Sequence, residues 1–173
     1  MKQKNLVTAG AVLGMAILLG FIWLPPSGNR QAPDLTLKST TGKEIRIGSL
    51  KGRPVLVNFW ATTCTPCLKE IPYLIHLYNE LNSRGLVIIG VNMFYDLPIQ
   101  VVEMIKQKGI PYPVILDTDR KIMHAFGMKQ PLTPTTILID THGNIIYRKS
   151  GVPDMEKLGG KIIALLSSAN EGK

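Results

Sequence analysis

The chain has 173 residues, of which 45% are hydrophobic and 18% charged, and its formal net charge is +8. This composition excludes a disordered chain and a wholly membrane-embedded one, and the length suffices for one domain with a real core plus a short appendage. The basic residues are scattered rather than interleaved with aromatic residues, which argues against a protein that binds nucleic acid.

The N-terminal region predicts a membrane anchor. Residues 1–5 contain two lysines and precede the uncharged run 6–24, which as a helix would be about 28 Å long and close to the ~30 Å hydrocarbon core. Lysines before a span favour a cytoplasmic N-terminus and place the rest of the chain outside the cytoplasm. The rival interpretation is a cleaved signal peptide, but no small-x-small cleavage motif follows Leu24. We therefore expect a single-pass protein of the cell membrane, facing the periplasm or the outer side of a single membrane.

The rest of the chain predicts an α/β domain at residues 34–167, with a linker at 25–33 and a polar tail at 168–173. Its alternating strands and helices predict a parallel sheet portion, and a late hairpin makes the sheet mixed. The predicted elements, in chain order, are a hairpin (32–37 and 44–47), a buried strand (54–60), a helix (65–84), a second buried strand (86–91), a helix (97–108), a short strand (114–116), a helical turn (120–126), a hairpin (135–140 and 144–148) and a last helix (155–166).

The only two cysteines of the chain lie between a buried strand and a helix, in the motif Cys64-Thr-Pro-Cys67. At the helix N-terminus, Cys64 faces unpaired backbone N–H groups and the positive end of the helix dipole, which stabilises an attacking thiolate. Cys67 is one turn further on and more enclosed, so we expect it to be the resolving thiol. The motif in this βα context predicts a redox-active dithiol that works without a bound cofactor.

Other meanings of the cysteine pair stay open at this point. A structural disulfide is one, although closing two intervening residues removes little entropy from the unfolded chain. A zinc site needs two more ligands, and His76, His124 and His142 are dispersed, so we assign no metal. The main alternative function is a copper-binding or metallochaperone-like module that uses both cysteines and His124, or a reductant for copper-site cysteines.

A family resemblance rests on residues 60–72, which read Trp-Ala-Thr-Thr-Cys-Thr-Pro-Cys-Leu-Lys-Glu-Ile-Pro. This segment resembles the active site of the thioredoxin superfamily, and more closely that of the TlpA/ResA-like extracytoplasmic reductases. Segments 116–121 and 134–140 add to the likeness, which covers roughly residues 32–166. The resemblance implies a thioredoxin-like fold with a central mixed sheet flanked by helices, an added N-terminal hairpin and a central αβ insertion at 96–116.

The resemblance also implies where a client protein binds. Thr133-Pro134 is then a cis-proline loop that faces the dithiol, where Thr133 offers backbone hydrogen bonds to an extended partner chain. Trp60 is expected to pack beside the disulfide and to shape the contact surface. Thr63 departs from the family, which usually has an aromatic residue immediately before the first cysteine, so the way in which partners dock stays open.

Proton transfer at the resolving cysteine points to Glu70. Ordinary thioredoxins carry a buried aspartate where this chain has Asn58, and an amide cannot take up a proton. Glu70 lies one helical turn after Cys67, and the TlpA/ResA-like group has a glutamate at that place. We predict that Glu70 is a catalytic residue that is partly desolvated, has a raised pKa and handles the proton of Cys67. The competing interpretation is an ordinary solvated helix face.

The residues between the cysteines favour reduction over oxidation. Thr65-Pro66 contains no histidine of the kind that strong oxidants use to stabilise the reduced thiolate. The family implies a protein-disulfide reductase that an integral membrane thiol donor keeps reduced, with apocytochrome c before haem attachment as the example client. The predicted function is therefore a membrane-anchored thiol–disulfide oxidoreductase of cytochrome c-type biogenesis, although other client disulfides fit the sequence equally.

Overall fold

A computed structural model describes residues 30–171 and contains a six-stranded sheet with helices on both faces. The strands are β1 (Arg30–Gln31), β2 (Thr36–Lys38), β3 (Glu44–Arg46), β4 (Val55–Trp60), β5 (Val87–Met93), β6 (Val114–Asp117), β7 (Thr135–Ile139) and β8 (Asn144–Ser150). The helices are α1 (Thr65–Leu81), α2 (Pro98–Lys108), α3 (Lys121–Ala125) and α4 (Met155–Glu171), and a short 3-10 helix spans Ile47–Leu50.

The sheet has the order β1-β8-β7-β4-β5-β6, and β2 and β3 form a separate hairpin. Strands β4, β5 and β6 are parallel, whereas β7 runs antiparallel to β4 and β8 antiparallel to β7. Phe59 near the end of β4 pairs with Thr135 at the start of β7. The C-terminal end of β4 and the N-terminal end of β7 therefore lie side by side at the same end of the sheet. The predicted mixed sheet with flanking helices is confirmed.

Both faces of the central strand are covered, which explains its nearly continuous apolar sequence. All six residues of β4 are buried, as expected for a strand with a packed layer on each side. One apolar cluster joins the sheet to α1 and α4, with Leu74 and Ile162 fully buried. The other joins it to the β2–β3 hairpin and α3, through residues such as Leu37 and Phe126. These two layers hold the end of β4 in place.

The structure differs from the sequence predictions at both ends of the described region. Arg30–Gln31, within the predicted linker, pairs with the first residues of β8 as an edge strand. Helix α4 continues to Glu171, beyond its predicted end at residue 166. Within this extension, the hydroxyls of Ser167 and Ser168 bond to carbonyls of the preceding turn instead of breaking the helix. No helix within residues 30–171 is long and apolar enough to cross a bilayer. The predicted span at 6–24 lies outside the described residues.

Candidate active site

The two cysteines lie where β4 gives way to α1. Cys64 is the N-cap of α1, with the extended backbone angles φ −88° and ψ 95° that this position requires, and Pro66 occupies the first turn. The Sγ atom of Cys64 accepts the backbone N–H of Cys67 at 3.2 Å. The two sulfurs are joined in a disulfide. The predicted pair is thus assembled at the N-terminus of a helix, next to the exit of a buried strand.

The two cysteines differ in their access to solvent. Cys64 is half-buried, whereas Cys67 is 1% exposed and belongs to the apolar cluster beneath α1. A partner's sulfur can therefore approach Cys64 but not Cys67. This asymmetry fits the predicted roles, in which Cys64 attacks a client and Cys67 acts from behind it.

Glu70 is buried on the Cys67 side of α1, with 2% of its surface exposed. Its Oε1 atom accepts hydrogen bonds from Thr136 Oγ1 at 3.0 Å and from Asn58 Nδ2 at 3.3 Å. Asn58 Nδ2 also donates to Thr136 Oγ1 at 3.2 Å, because the two residues face each other across β4 and β7. The Oε2 atom of Glu70 is buried and has no hydrogen-bond partner among the described residues. The competing interpretation, in which Glu70 lies on a solvated helix face, is therefore wrong.

Burial raises the pKa of the Glu70 carboxyl, and the hydrogen bonds from Thr136 and Asn58 oppose this effect in part. The pKa of the Tyr112 hydroxyl is also raised, first by its own burial and then by the nearby Glu70 carboxylate. A carboxyl that is enclosed, has one unpartnered oxygen and sits one helical turn from a buried thiol can accept and return a proton. Its raised pKa agrees with the sequence prediction, and its catalytic role stays a prediction.

The Thr133–Pro134 peptide bond is cis, as predicted. Because Phe59 pairs with Thr135, this loop lies at the end of the sheet where β4 leads into the dithiol. Within the described residues, neither the N–H nor the carbonyl of Thr133 bonds to another backbone group. Both are available to an extended partner chain, while the role of the loop in client binding remains a prediction.

Trp60 is 2% exposed and packs in the same apolar cluster as Cys67. This agrees with a position beside the disulfide. Because the side chain is almost wholly enclosed, it can shape the contact surface only through the residues that it supports. Its part in client binding stays a prediction.

Sequence reasoning missed two residues that hold the site together. Thr136 supplies the shorter hydrogen bond to Glu70, and only its register opposite Asn58 could have identified it. Asp96 follows β5 and accepts the backbone N–H of Thr62, two residues before Cys64, at 2.5 Å. No signal in the sequence joins positions 62 and 96.

The residues of the copper alternative do not come together as a metal site. Within the part of the chain that the structure describes, no three His, Cys, Asp or Glu side chains are grouped so that they could hold a metal ion. His124 lies on α3, which packs with the β2–β3 hairpin on one face of the sheet, whereas Cys67 packs with α1 on the other.

Comparisons with known proteins agree with this geometry. The family model described as Redoxin matches residues 26–161. The chain is 41% identical over 158 residues to the thiol-disulfide oxidoreductase ResA of Bacillus subtilis (strain 168), and the match covers 87% of each chain. It is 36% identical over 121 residues to ResA of Halalkalibacterium halodurans, covering 70% of this chain and 67% of that relative.

Solved structures show the same fold. A thioredoxin-family thiol:disulfide interchange protein from Chlorobium tepidum TLS superposes with a TM-score of 0.71 at 30% identity, covering 79% of this chain and 95% of that one. The crystal structure of StoA from Bacillus subtilis gives a TM-score of 0.62 at 29% identity, covering 73% of this chain and 93% of StoA. The Redoxin match at residues 26–161 includes the cysteine pair, Glu70 and the cis-proline loop.

Proposed function

Because this chain belongs to the Redoxin family and, within the thioredoxin superfamily, to the ResA-like thiol–disulfide oxidoreductases, we propose that it reduces protein disulfides outside the cytoplasm. The observation that carries this proposal is the buried Glu70 carboxyl on the side of the enclosed Cys67, behind an accessible Cys64. This arrangement supports a two-step exchange in which the cysteines have unequal roles.

In the first step, the Cys64 thiolate attacks one sulfur of a client disulfide. A bond forms between Cys64 Sγ and that sulfur, the client's S–S bond breaks, and the second client sulfur leaves as a thiolate that takes a proton from solvent. Cys67 cannot replace Cys64 in this step because it is buried. The product is a mixed disulfide between Cys64 and the client.

In the second step, Cys67 releases the client. Glu70 accepts the proton of the Cys67 thiol, and the resulting thiolate attacks Cys64 Sγ. The Cys64–Cys67 disulfide forms, the mixed disulfide breaks, and the client leaves with its second sulfur reduced. The client has gained two electrons and the Cys64–Cys67 pair has lost them. A donor must therefore reduce the Cys64–Cys67 disulfide before the next turnover.

The direction of electron flow is proposed from the motif and its surroundings. Thr65 and Pro66 between the cysteines provide no charged or histidine side chain to stabilise the Cys64 thiolate. A less stabilised thiolate makes the reduced form a better electron donor. A reductant outside the cytoplasm is oxidised by its surroundings, so we propose an integral membrane thiol protein as its electron donor and residues 6–24 as its own anchor.

The proposed client is apocytochrome c, whose haem-site cysteines must be reduced before haem attachment. The family resemblance supports apocytochrome c as the client. The broader proposal, that the client is a protein disulfide, is supported by relatives that are thiol-disulfide oxidoreductases. The copper-binding alternative gains no support from the position of His124, since no metal-holding group occurs among the described residues. A reductant of copper-site cysteines would use the same dithiol and remains the alternative client assignment.

Trapping of the mixed disulfide tests this function. Cys67→Ala in the full chain, expressed in cells that make c-type cytochromes, leaves Cys64 able to attack but removes the group that releases the client. We expect a disulfide-linked complex with apocytochrome c that reductant dissolves, and none with Cys64→Ala/Cys67→Ala. Capture of a copper protein alone, or of nothing, would contradict the cytochrome proposal.

A further inference from the structure

The end of the sheet opposite the dithiol is formed by three turns that carry only positive charge. Residues 51–53 lead into β4, residues 82–85 lead into β5, and residues 141–143 join β7 to β8. We call these three turns the basic end. They contain no acidic residue, and their titratable side chains are those of Lys51, Arg53, Arg84 and His142, all of them exposed.

Hydrogen bonds join the turns of the basic end to one another. The backbone N–H of Gly52 donates to the carbonyl of Thr141 at 2.7 Å. The Nε atom of Arg53 donates to the carbonyl of Gly85 at 2.9 Å. The three turns are therefore held side by side, and their charges face solvent as one surface.

The carboxylates nearest to the basic end are already engaged by other groups. Asp34 forms an ion pair with Arg46 at 2.6 Å. Asp140 is 9% exposed, and its Oδ1 atom accepts the backbone N–H groups of His142 and Asn144. Among the described residues, none of the three cations of the basic end forms a salt bridge. Their charge is therefore available to an anionic partner.

The dithiol end of the sheet shows no such excess of charge. The segments that follow β4, β5 and β6 and the segment that enters β7 hold two acidic and two basic residues, namely Asp96, Asp119, Arg120 and Lys129. Their formal charges cancel. The domain is therefore electrically polar along its strands, with positive charge at the end farthest from Cys64.

The chain also enters the domain beside the basic end. The backbone N–H of Ala32 donates to the carbonyl of Gly143, and β1 pairs with the first residues of β8. Residues 25–29 separate the proposed anchor at 6–24 from Arg30, and five residues span at most about 18 Å. Such an anchor would keep the basic end within reach of the lipid headgroups.

We propose that the basic end binds anionic phospholipid headgroups of the membrane that anchors the chain, so that the dithiol faces away from the bilayer. Each Lys or Arg near an anionic bilayer strengthens binding about fivefold, so three favour this orientation by about 10²-fold. The six residues of β4 place Cys64 roughly 20 Å farther from the headgroups than the basic end. Clients and the electron donor then meet Cys64 in the aqueous phase. The inference rests on the proposed anchor, whereas the direction of electron flow does not affect it.

Lysine acylation of the full chain in lipid nanodiscs tests this proposal. One set of discs contains phosphatidylcholine alone, and the other contains phosphatidylcholine and phosphatidylglycerol in equal parts. A neutral reagent acylates exposed lysines, and mass spectrometry gives the rate at each. We expect Lys51 to react roughly tenfold more slowly in the anionic discs, and exposed Lys149 near the dithiol end to react equally in both. At about 1 M salt, where the Debye length is about 3 Å, the difference should vanish.

Variants locate the contact. Arg53→Gln/Arg84→Gln should weaken it by about 25-fold and restore acylation of Lys51 in the anionic discs. Lys129→Gln/Lys161→Gln is the matched control, because it removes two exposed cations that lie outside the basic end, and Lys51 should stay protected. If the first variant does not fold, Arg84→Gln alone serves, since its side chain makes none of the hydrogen bonds that join the turns.

Alkylation of Cys64 reports the orientation of the dithiol. In the reduced chain with Cys67→Ser, Cys64 should react with a neutral alkylating reagent at the same rate in both kinds of disc. Slower alkylation in the anionic discs would place the dithiol on the membrane and overturn the proposal.

Other outcomes would also overturn the proposal. Equal acylation of Lys51 in both kinds of disc would show that the basic end does not bind anionic lipid, and protection that survives high salt would show that charge does not hold it. If the chain does not stay in the discs, the proposed anchor fails, and sedimentation with phosphatidylglycerol vesicles then tests the basic end alone, with an absence of salt-sensitive binding overturning it. An oxidising dithiol would refute the proposed function and leave the acylation result unchanged.

Discussion

Replacement of Glu70 by glutamine should separate the two steps of the exchange. The amide keeps the shape of the side chain and one oxygen that can still accept the hydrogen bonds of Thr136 and Asn58. Its new NH2 group replaces Oε2, which has no partner among the described residues. Leaving a buried donor unpaired costs about 1–3 kcal/mol, which the removal of a buried carboxylate offsets in part, so we expect Glu70→Gln to fold.

The expected kinetic effect of Glu70→Gln falls on Cys67 alone. A positioned general base typically accelerates proton transfer by about 10²–10⁴-fold, and Cys67 at 1% exposure has little access to water as a substitute. We therefore expect the second step to slow by roughly 10²-fold. The first step should be unchanged, because Cys64 is half-buried and exchanges protons with solvent.

A chromogenic aromatic disulfide measures both steps in one experiment. The reduced full chain releases one coloured thiolate when Cys64 attacks and a second when Cys67 resolves the mixed disulfide, so rapid mixing gives two phases. Glu80→Gln is the matched control, since Glu80 lies on the same helix with its side chain 59% exposed. The proposed role is refuted if Glu70→Gln shows the wild-type second phase across pH 5–9, or if both phases slow equally.

Two further predictions use the same carboxyl. Thr136→Val removes the hydroxyl that donates to Glu70 at 3.0 Å and so removes an interaction that lowers the carboxyl's pKa; the second phase should then reach its maximum rate at higher pH than in the wild type, and an unchanged pH profile would disconnect Thr136 from catalysis. Burial raises the pKa of folded Glu70 above its ordinary value of 4.5, so the folded state binds a proton more tightly than the unfolded state. The stability that protonated Glu70 contributes is fully present below pH 4.5 and is lost as pH rises through the folded pKa. The free energy of unfolding of the oxidised wild type, measured with denaturant, should therefore fall relative to that of Glu70→Gln above pH 4.5, whereas a constant difference would contradict the burial of an ionisable carboxyl.

The sequence was most informative where side-chain pattern alone determines structure. The run 55–60 is apolar enough to predict a strand covered on both faces, and the strand is buried throughout. The spacing of apolar residues in 65–81 predicts α1, and the CxxC motif at its start predicts the disulfide. These features depend on neighbours in sequence, which a single chain displays directly.

Features that depend on the backbone or on distant partners were missed. Strand β1 consists of the polar residues Arg30–Gln31 and exists only because their main chain pairs with β8. Thr136 reaches Glu70 across 66 residues, and Asp96 reaches Thr62 across 34. No local pattern encodes these contacts, because they arise only when β7 lies beside β4 and β5 on its other side.

The prediction for Glu70 depended partly on local sequence and partly on contacts that only the fold creates. The identity of Asn58 and the resemblance to a family pointed to a carboxyl one turn after Cys67. The enclosure of that carboxyl and its hydrogen bonds to Asn58 and Thr136 became apparent only from the packing of α1 on the sheet. The sequence thus located the candidate carboxyl, and the fold explains why its pKa is raised.

The reduction potential of the Cys64–Cys67 pair tests the central proposal most directly. The full chain is equilibrated in graded thiol–disulfide buffers, and its free thiols are trapped and counted at each potential. The reductant thioredoxin has a potential of about −270 mV, and we predict a value in that region. A potential near −120 mV, typical of a strong oxidant, would contradict the reductive direction.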